Sequence, residues 1–113
     1  MADALSEQEF RLAADQALER LQRALLPLAD QEGFEVELQN GVLQVIFEDP
    51  SPAKFVVSPN TPVRQIWVSA HSKSFKLDWD SARAAFVLAG TKQTLAEVIG
   101  DAVGLQLGEK VTL

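Results

Sequence analysis

The apolar residues of this chain change period twice, and those two changes limit its architecture more than any other feature. From Phe10 the apolar positions Phe10, Ala14, Ala17, Leu21, Ala24, Leu25 and Leu28 recur at helical spacing and form one stripe. Ser6 and Glu9, three residues apart, are the capping-box pair that starts such a helix. Pro27 lacks an amide donor and restricts its neighbour, so the helix is expected to kink or end near Leu26. Asp30-Gln31-Glu32-Gly33 then reads as the exit and turn.

From Phe34 the period is two. Phe34, Val36 and Leu38 alternate with Glu35, Glu37 and Gln39, and Asn40-Gly41 is a two-residue hairpin signal. A second strand runs from Val42 to Glu48, with a turn at Asp49-Pro50-Ser51-Pro52 and a third strand near Lys54 to Val57. Ser58-Pro59-Asn60 reads as another turn, and a strand starting at the proline spans Thr61 to Ser69. After a His71-Ser72-Lys73 loop, Phe75, Leu77 and Trp79 alternate with Lys76, Asp78 and Asp80, and Ala85 to Leu88 is a short sixth strand. Gly90 breaks this pattern, and Thr94 with Glu97 caps a second helix striped by Leu95, Val98, Ile99 and Ala102. Gly100 and Gly104 weaken that helix by about 1 kcal/mol each relative to Ala. The tail Val111-Thr112-Leu113 is expected to pack back between the helices. Helix, strand meander and helix imply an α+β fold: a two-layer sandwich with both helices on one face of a five- to six-stranded antiparallel sheet, and water on the other.

A chain of 113 residues suits a single domain over residues 1–113 and buries roughly two-thirds of its unfolded surface. No apolar run approaches the roughly 20 residues of a membrane span. The acidic N-terminus resembles neither a secretory signal nor a transit peptide, so a cytoplasmic protein is expected. Without Cys the chain has no disulfide, zinc-thiolate or thiol chemistry of its own. A formal charge of −6 argues against nucleic acid and anionic membranes, and for basic partners or cations.

On a sheet covered on one face, Ile66 and Val68 turn inward, while Gln65, Trp67 and Ser69 face water. Folding does not require a tryptophan there. Flanked by Asn60, Gln65, Ser69 and Lys76, Trp67 has the composition of a docking anchor. The ordinary alternative is a half-buried sheet residue stacked on its neighbours.

The acids form a second candidate site. Asp15 and Glu19 lie one turn apart on the solvent side of the first helix, Asp30 and Glu32 in its exit turn, and Glu35 and Glu37 on one strand face. Exposed carboxylates are hard oxygen ligands for Mg, Ca, Mn and, weakly, ferrous iron. From the residues alone, an ordinary solvated face is the simpler account of them. His71 lacks an adjacent base and acid for nucleophilic catalysis, and Asp78 with Asp80 reads more simply as open-face charge than as an acid–base pair.

Four segments together resemble the frataxin family in its bacterial, CyaY-type form. They are the hairpin Leu38-Gln39-Asn40-Gly41-Val42-Leu43, the run Thr61-Pro62-Val63-Arg64-Gln65-Ile66-Trp67, the strand Phe75-Lys76-Leu77-Asp78-Trp79 and the helix start Thr94-Leu95-Ala96-Glu97. The resemblance runs from about Phe10 to the C-terminus. It implies a small, mostly monomeric, non-enzymatic protein that binds iron (Fe2+/Fe3+) weakly through surface carboxylates. It also implies docking on a cysteine desulfurase and its iron–sulfur scaffold protein, where such proteins modulate sulfur transfer or deliver iron. The family's iron ridge corresponds here to Asp15, Glu19, Asp30, Glu32, Glu35 and Glu37, and its docking strand to the Trp67 strand. The chain departs from the family where Leu25-Leu26-Pro27-Leu28-Ala29 replaces the usual acids, with Arg20 and Arg23 nearby. Iron binding is therefore expected to be weaker and to centre on Glu35, Glu37 and Asp30. Leu12 and Leu26 read first as scattered exposed leucines, with a small apolar contact patch as the sharper alternative. A metal-independent protein-binding module is the alternative.

Overall fold

The computed structural model describes residues 5–49 and 51–113. Helix α1 spans Glu7–Glu32, strands β1 to β6 span Glu35–Gln39, Val42–Phe47, Ala53–Asn60, Gln65–Ala70, Lys73–Asp80 and Ala85–Leu88, and helix α2 spans Leu95–Leu107. The strands form one antiparallel sheet in the order β1-β2-β3-β4-β5-β6. Each strand pairs with its neighbour in sequence, as short turns favour. Both capping boxes are present: Ser6 and Glu9 exchange bonds at the start of α1, and Thr94 and Glu97 do so at α2. The Ser6 backbone N–H, and then its side chain, hold the Glu9 carboxyl below its ordinary value. The Asn40-Gly41 turn has both residues in the left-handed region, at φ 54° and 76°, the backbone a two-residue hairpin needs.

The core lies on one side of the sheet. Phe10, Leu18 and Leu25 of α1, Leu43, Val45, Phe55, Val57, Ile66 and Leu77 of the strands, and Ile99 and Val103 of α2 are fully buried. Burying each of the larger side chains contributes about 1.5–3 kcal/mol. Alternation is clearest in β4, where Ile66, Val68 and Ala70 are buried and Trp67 and Ser69 are exposed. Two side-chain bonds tie α2 to the connections between β2 and β3 and between β4 and β5. The Gln106 amide donates to the Ser51 carbonyl, and the His71 Nε2–H donates to the Ala102 carbonyl while its ring packs edge-on to Phe55.

Four expectations change. Pro27 does not end α1, which continues to Glu32, so Asp30 and Glu32 sit in its last turn and Gly33 makes the exit at φ 84°. The apolar stripe continues beyond the proline through Leu28 and Ala29. Their packing offsets the lost bond to the Arg23 carbonyl, which lies on an exposed part of the helix. The stripe itself includes Leu18 and leaves Ala24 exposed. Ser58-Pro59-Asn60 is strand rather than turn: β3 reaches Asn60, and Pro59 pairs with Ile66 beyond the stretch where β3 is paired on both sides. The turn lies one step later, in a 3-10 helix over Thr61–Val63 closed by Arg64 at φ 55°. Pro62 sits at its start, where the missing N–H would be unsatisfied anyway. The Arg64 guanidinium donates to the Thr61 and Leu5 carbonyls and so pins this turn to the entry of α1. At the next turn only His71 and Ser72 lie outside the strands, because β5 begins at Lys73. Pro50, in the expected turn between β2 and β3, lies outside the described residues, as do residues 1–4.

The two glycines of α2 have a packing purpose. A Cβ on Gly104 would lie 2.6 Å from the Glu109 carbonyl oxygen, and one on Gly100 would lie 3.1 Å from that of Val111. The C-terminal segment thus lies directly against α2, with Val111 and Leu113 packed on the core. Ala at an ordinary helical Gly gains about 1 kcal/mol. Gly104→Ala is expected to lose about 1–3 kcal/mol instead, because the obstructing atom is backbone. Urea denaturation of both proteins measures this, and a gain in stability would contradict it.

Candidate docking face and carboxylate ridge

The uncovered face of the sheet carries a small organised polar cluster around Trp67. The β4–β5 register sets Trp67 opposite Lys76 and Gln65 opposite Asp78, while β3 contributes Ser58 opposite Trp67 and Asn60 opposite Gln65. The Trp67 indole N–H donates to Gln65 Oε1 at 2.9 Å, and the Gln65 amide donates in turn to Asp78 Oδ1 at 2.9 Å. Lys76 Nζ stands 4.9 Å from the Trp67 ring centroid, a cation–π distance. The indole is 38% exposed, so it is neither buried nor free to rotate without breaking this chain. It borders a shallow depression of about 210 Å³ whose other edges include Val56, Ser58, Ser69 and Ser74.

The cluster thus contains four of the five residues expected from sequence in direct or paired contact. Ser69 sits one pair further along, opposite Ser74 and Val56. Asp78 was missed as a member. Its signal was in the alternation, which places it on the same face as Gln65, but only the register shows that the two are opposite. Asp78 and Asp80 have separate hydrogen-bond partners, and Asp78 accepts from Gln65. Asp80 instead accepts from the backbone N–H groups of Ala82 and Arg83 and shapes the β5–β6 turn.

The acids are exposed as expected and spread out. Asp15 and Glu19 flank a shallow hollow between α1 and the Asn40-Gly41 hairpin. Glu37 borders another with Gln39, Asn40 and Gln44 on the opposite side of the same hairpin. Glu35 and Glu37 project from the edge strand on the open face, opposite Ile46 and Gln44. Asp30 and Glu32 end α1. Among the described residues no three His, Asp or Glu side chains gather closely enough to hold one metal ion. Such a donor set suits weak, exchangeable contact with hard cations through one or two carboxylates, with water completing the shell. It does not form a cage. Leu12 and Leu26 are exposed, and Arg20 and Arg23 have no ion-pair partner among the described residues.

Comparison with known proteins places this arrangement. Residues 3–109 match the sequence profile of the Frataxin-like domain. The chain is 32% identical over 109 residues to the iron-sulfur cluster assembly protein CyaY of Pseudomonas putida, covering 95% of this chain and 94% of that one. It is 32% identical over 96 residues to the protein of the same name from Pseudomonas aeruginosa, covering 83% and 87%. Among solved structures, the frataxin of Psychromonas ingrahamii superposes with a TM-score of 0.78 over 96% of this chain and 97% of that one. At 16% identity it speaks for the fold alone. The chain belongs to the frataxin family, CyaY type.

Proposed function

We propose that this protein is a non-enzymatic accessory factor of iron–sulfur cluster assembly. In this reading it docks on a cysteine desulfurase and its scaffold protein through the open sheet face around Trp67. There it modulates sulfur transfer or iron delivery. The observation that carries this reading is the Trp67 cluster: an exposed indole held by Gln65, Asp78 and Lys76 on a face that the fold leaves uncovered. A pre-positioned aromatic ringed by hydrogen-bonding groups loses little side-chain entropy on docking, which is how a few residues come to dominate an interface. Iron (Fe2+/Fe3+) is the cargo in this account. It meets the carboxylates of Glu35, Glu37 and Asp30, with Asp15, Glu19 and Glu32 adding to the negative field. The net charge of −6 favours a basic surface on the partner.

A second reading is a protein-binding module that works without metal. The dispersal of the acids favours it, since among the described residues no three of them converge. The two readings separate by whether partner binding responds to a chelator and to loss of the β1 acids.

Two outcomes are expected. Trp67→Ala weakens binding to purified desulfurase by at least about 1–2 kcal/mol, measured by calorimetry, while the far-ultraviolet circular dichroism signal is retained. Asp78→Ala weakens it less and adds little on top of Trp67→Ala, because Asp78 acts through the indole it helps to hold. Loss of the folded signal in Trp67→Ala would make Trp67 structural. In ferrous-iron titrations the double variant Glu35→Gln/Glu37→Gln binds more weakly than wild type; identical isotherms would remove the iron assignment from β1.

A further inference from the structure

On the helical side of the sheet, an apolar groove of about 470 Å³ lies between α1, the β5–β6 edge and the start of α2. Its volume is within the range of small-ligand sites. Alanines such as Ala17 and Ala24 leave the space, and Trp79 and Phe86, in edge contact at 5.1 Å, supply aromatic wall. The adjoining β5–β6 turn is fixed by the two backbone bonds to Asp80, and the Arg83 guanidinium ties it to the Lys92 carbonyl. The concavity is therefore built into the fold.

One charged side chain lines the groove, Arg20, and no acid does. Arg20 is exposed, and the only ion pair among the described residues joins Arg11 to Glu7. In a chain of net charge −6, an unpaired guanidinium on the rim of an apolar cleft selects an apolar body carrying a single negative charge. A neutral ligand would leave Arg20 unused, and a polyanion would meet the apolar walls.

We propose that this groove binds a medium-chain alkyl carboxylate, its chain against Trp79, Phe86 and the alanines of α1 and its carboxylate at Arg20. The site is separate from the docking face, because Trp79 lies on the core side of β5 and Trp67 on the open side of β4. It does not depend on the docking proposal.

Trp79 also reports on it. In a Trp67→Phe background Trp79 is the one remaining tryptophan, and its fluorescence is titrated with octanoate and with octanol. Octanoate is expected to shift the Trp79 emission saturably. Arg20→Gln is expected to raise the octanoate Kd about threefold to tenfold and leave the octanol Kd unchanged. Ala17→Phe, which fills the groove, abolishes both. Should that variant fail to fold, Ala24→Phe at an exposed lining position makes the same test. The absence of a saturable octanoate response overturns the proposal. So does an octanoate Kd unchanged by Arg20→Gln, or octanoate binding that survives the filling of the groove.

Discussion

One-sided burial of the sheet governs everything else in this protein. Two helices cover one face, so every strand must alternate, and a one-residue slip would turn Ile66, Val68 and Leu77 into water. The short turns at Asn40-Gly41 and His71-Ser72 lock that register. Because no element among the described residues covers the sheet's other face, that face is free to carry chemistry without cost to the core. Trp67, Gln65, Asp78 and Lys76 stand on that face as cross-strand neighbours, and the register that packs the core also assembles them.

Much of this was legible from periodicity and capping pairs, because both reflect local rules. The two helix starts, the hairpin, the sixth strand and the face of Trp67 are set by residues within a few positions of one another. What failed to show in the sequence depends on distant partners. Pro27 reads as a kink or a helix end until Leu25, Leu28 and Ala29 are seen packed in the core, where the helix runs on to Glu32. Pro59 reads as a turn until β2 is seen to stop short of it. Gly100 and Gly104 read as weak points in α2 until the C-terminal segment is found lying on them. On the open face, sequence alternation put Asp78 on the correct side but not opposite Gln65. At the acidic site it named exposed carboxylates but could not show that they stay apart.

That separation bears on how iron and partner relate. The acids lie along α1 and at the β1 edge, while the Trp67 cluster lies at the middle of the open face, on β4 and β5. Glu35 and Glu37 belong to both surfaces, since β1 shares the open face and forms its rim. In the proposed reading, a basic partner seated over Trp67 would approach these two acids, and cation binding and docking would then be linked through charge at that rim. The ridge further along α1 contributes a diffuse field, interrupted by Arg20 and Arg23.

The central claim is that the open face around Trp67 is the docking surface. It is tested most directly by adding unlabelled cysteine desulfurase to the isotopically labelled protein and following its amide and indole resonances. The account predicts that changes concentrate on the Trp67 indole N–H, the Gln65 side-chain amide and the backbone of β4 and β5, with weaker changes along β1. Changes confined to α1 and α2, with the Trp67 indole unmoved, would contradict it.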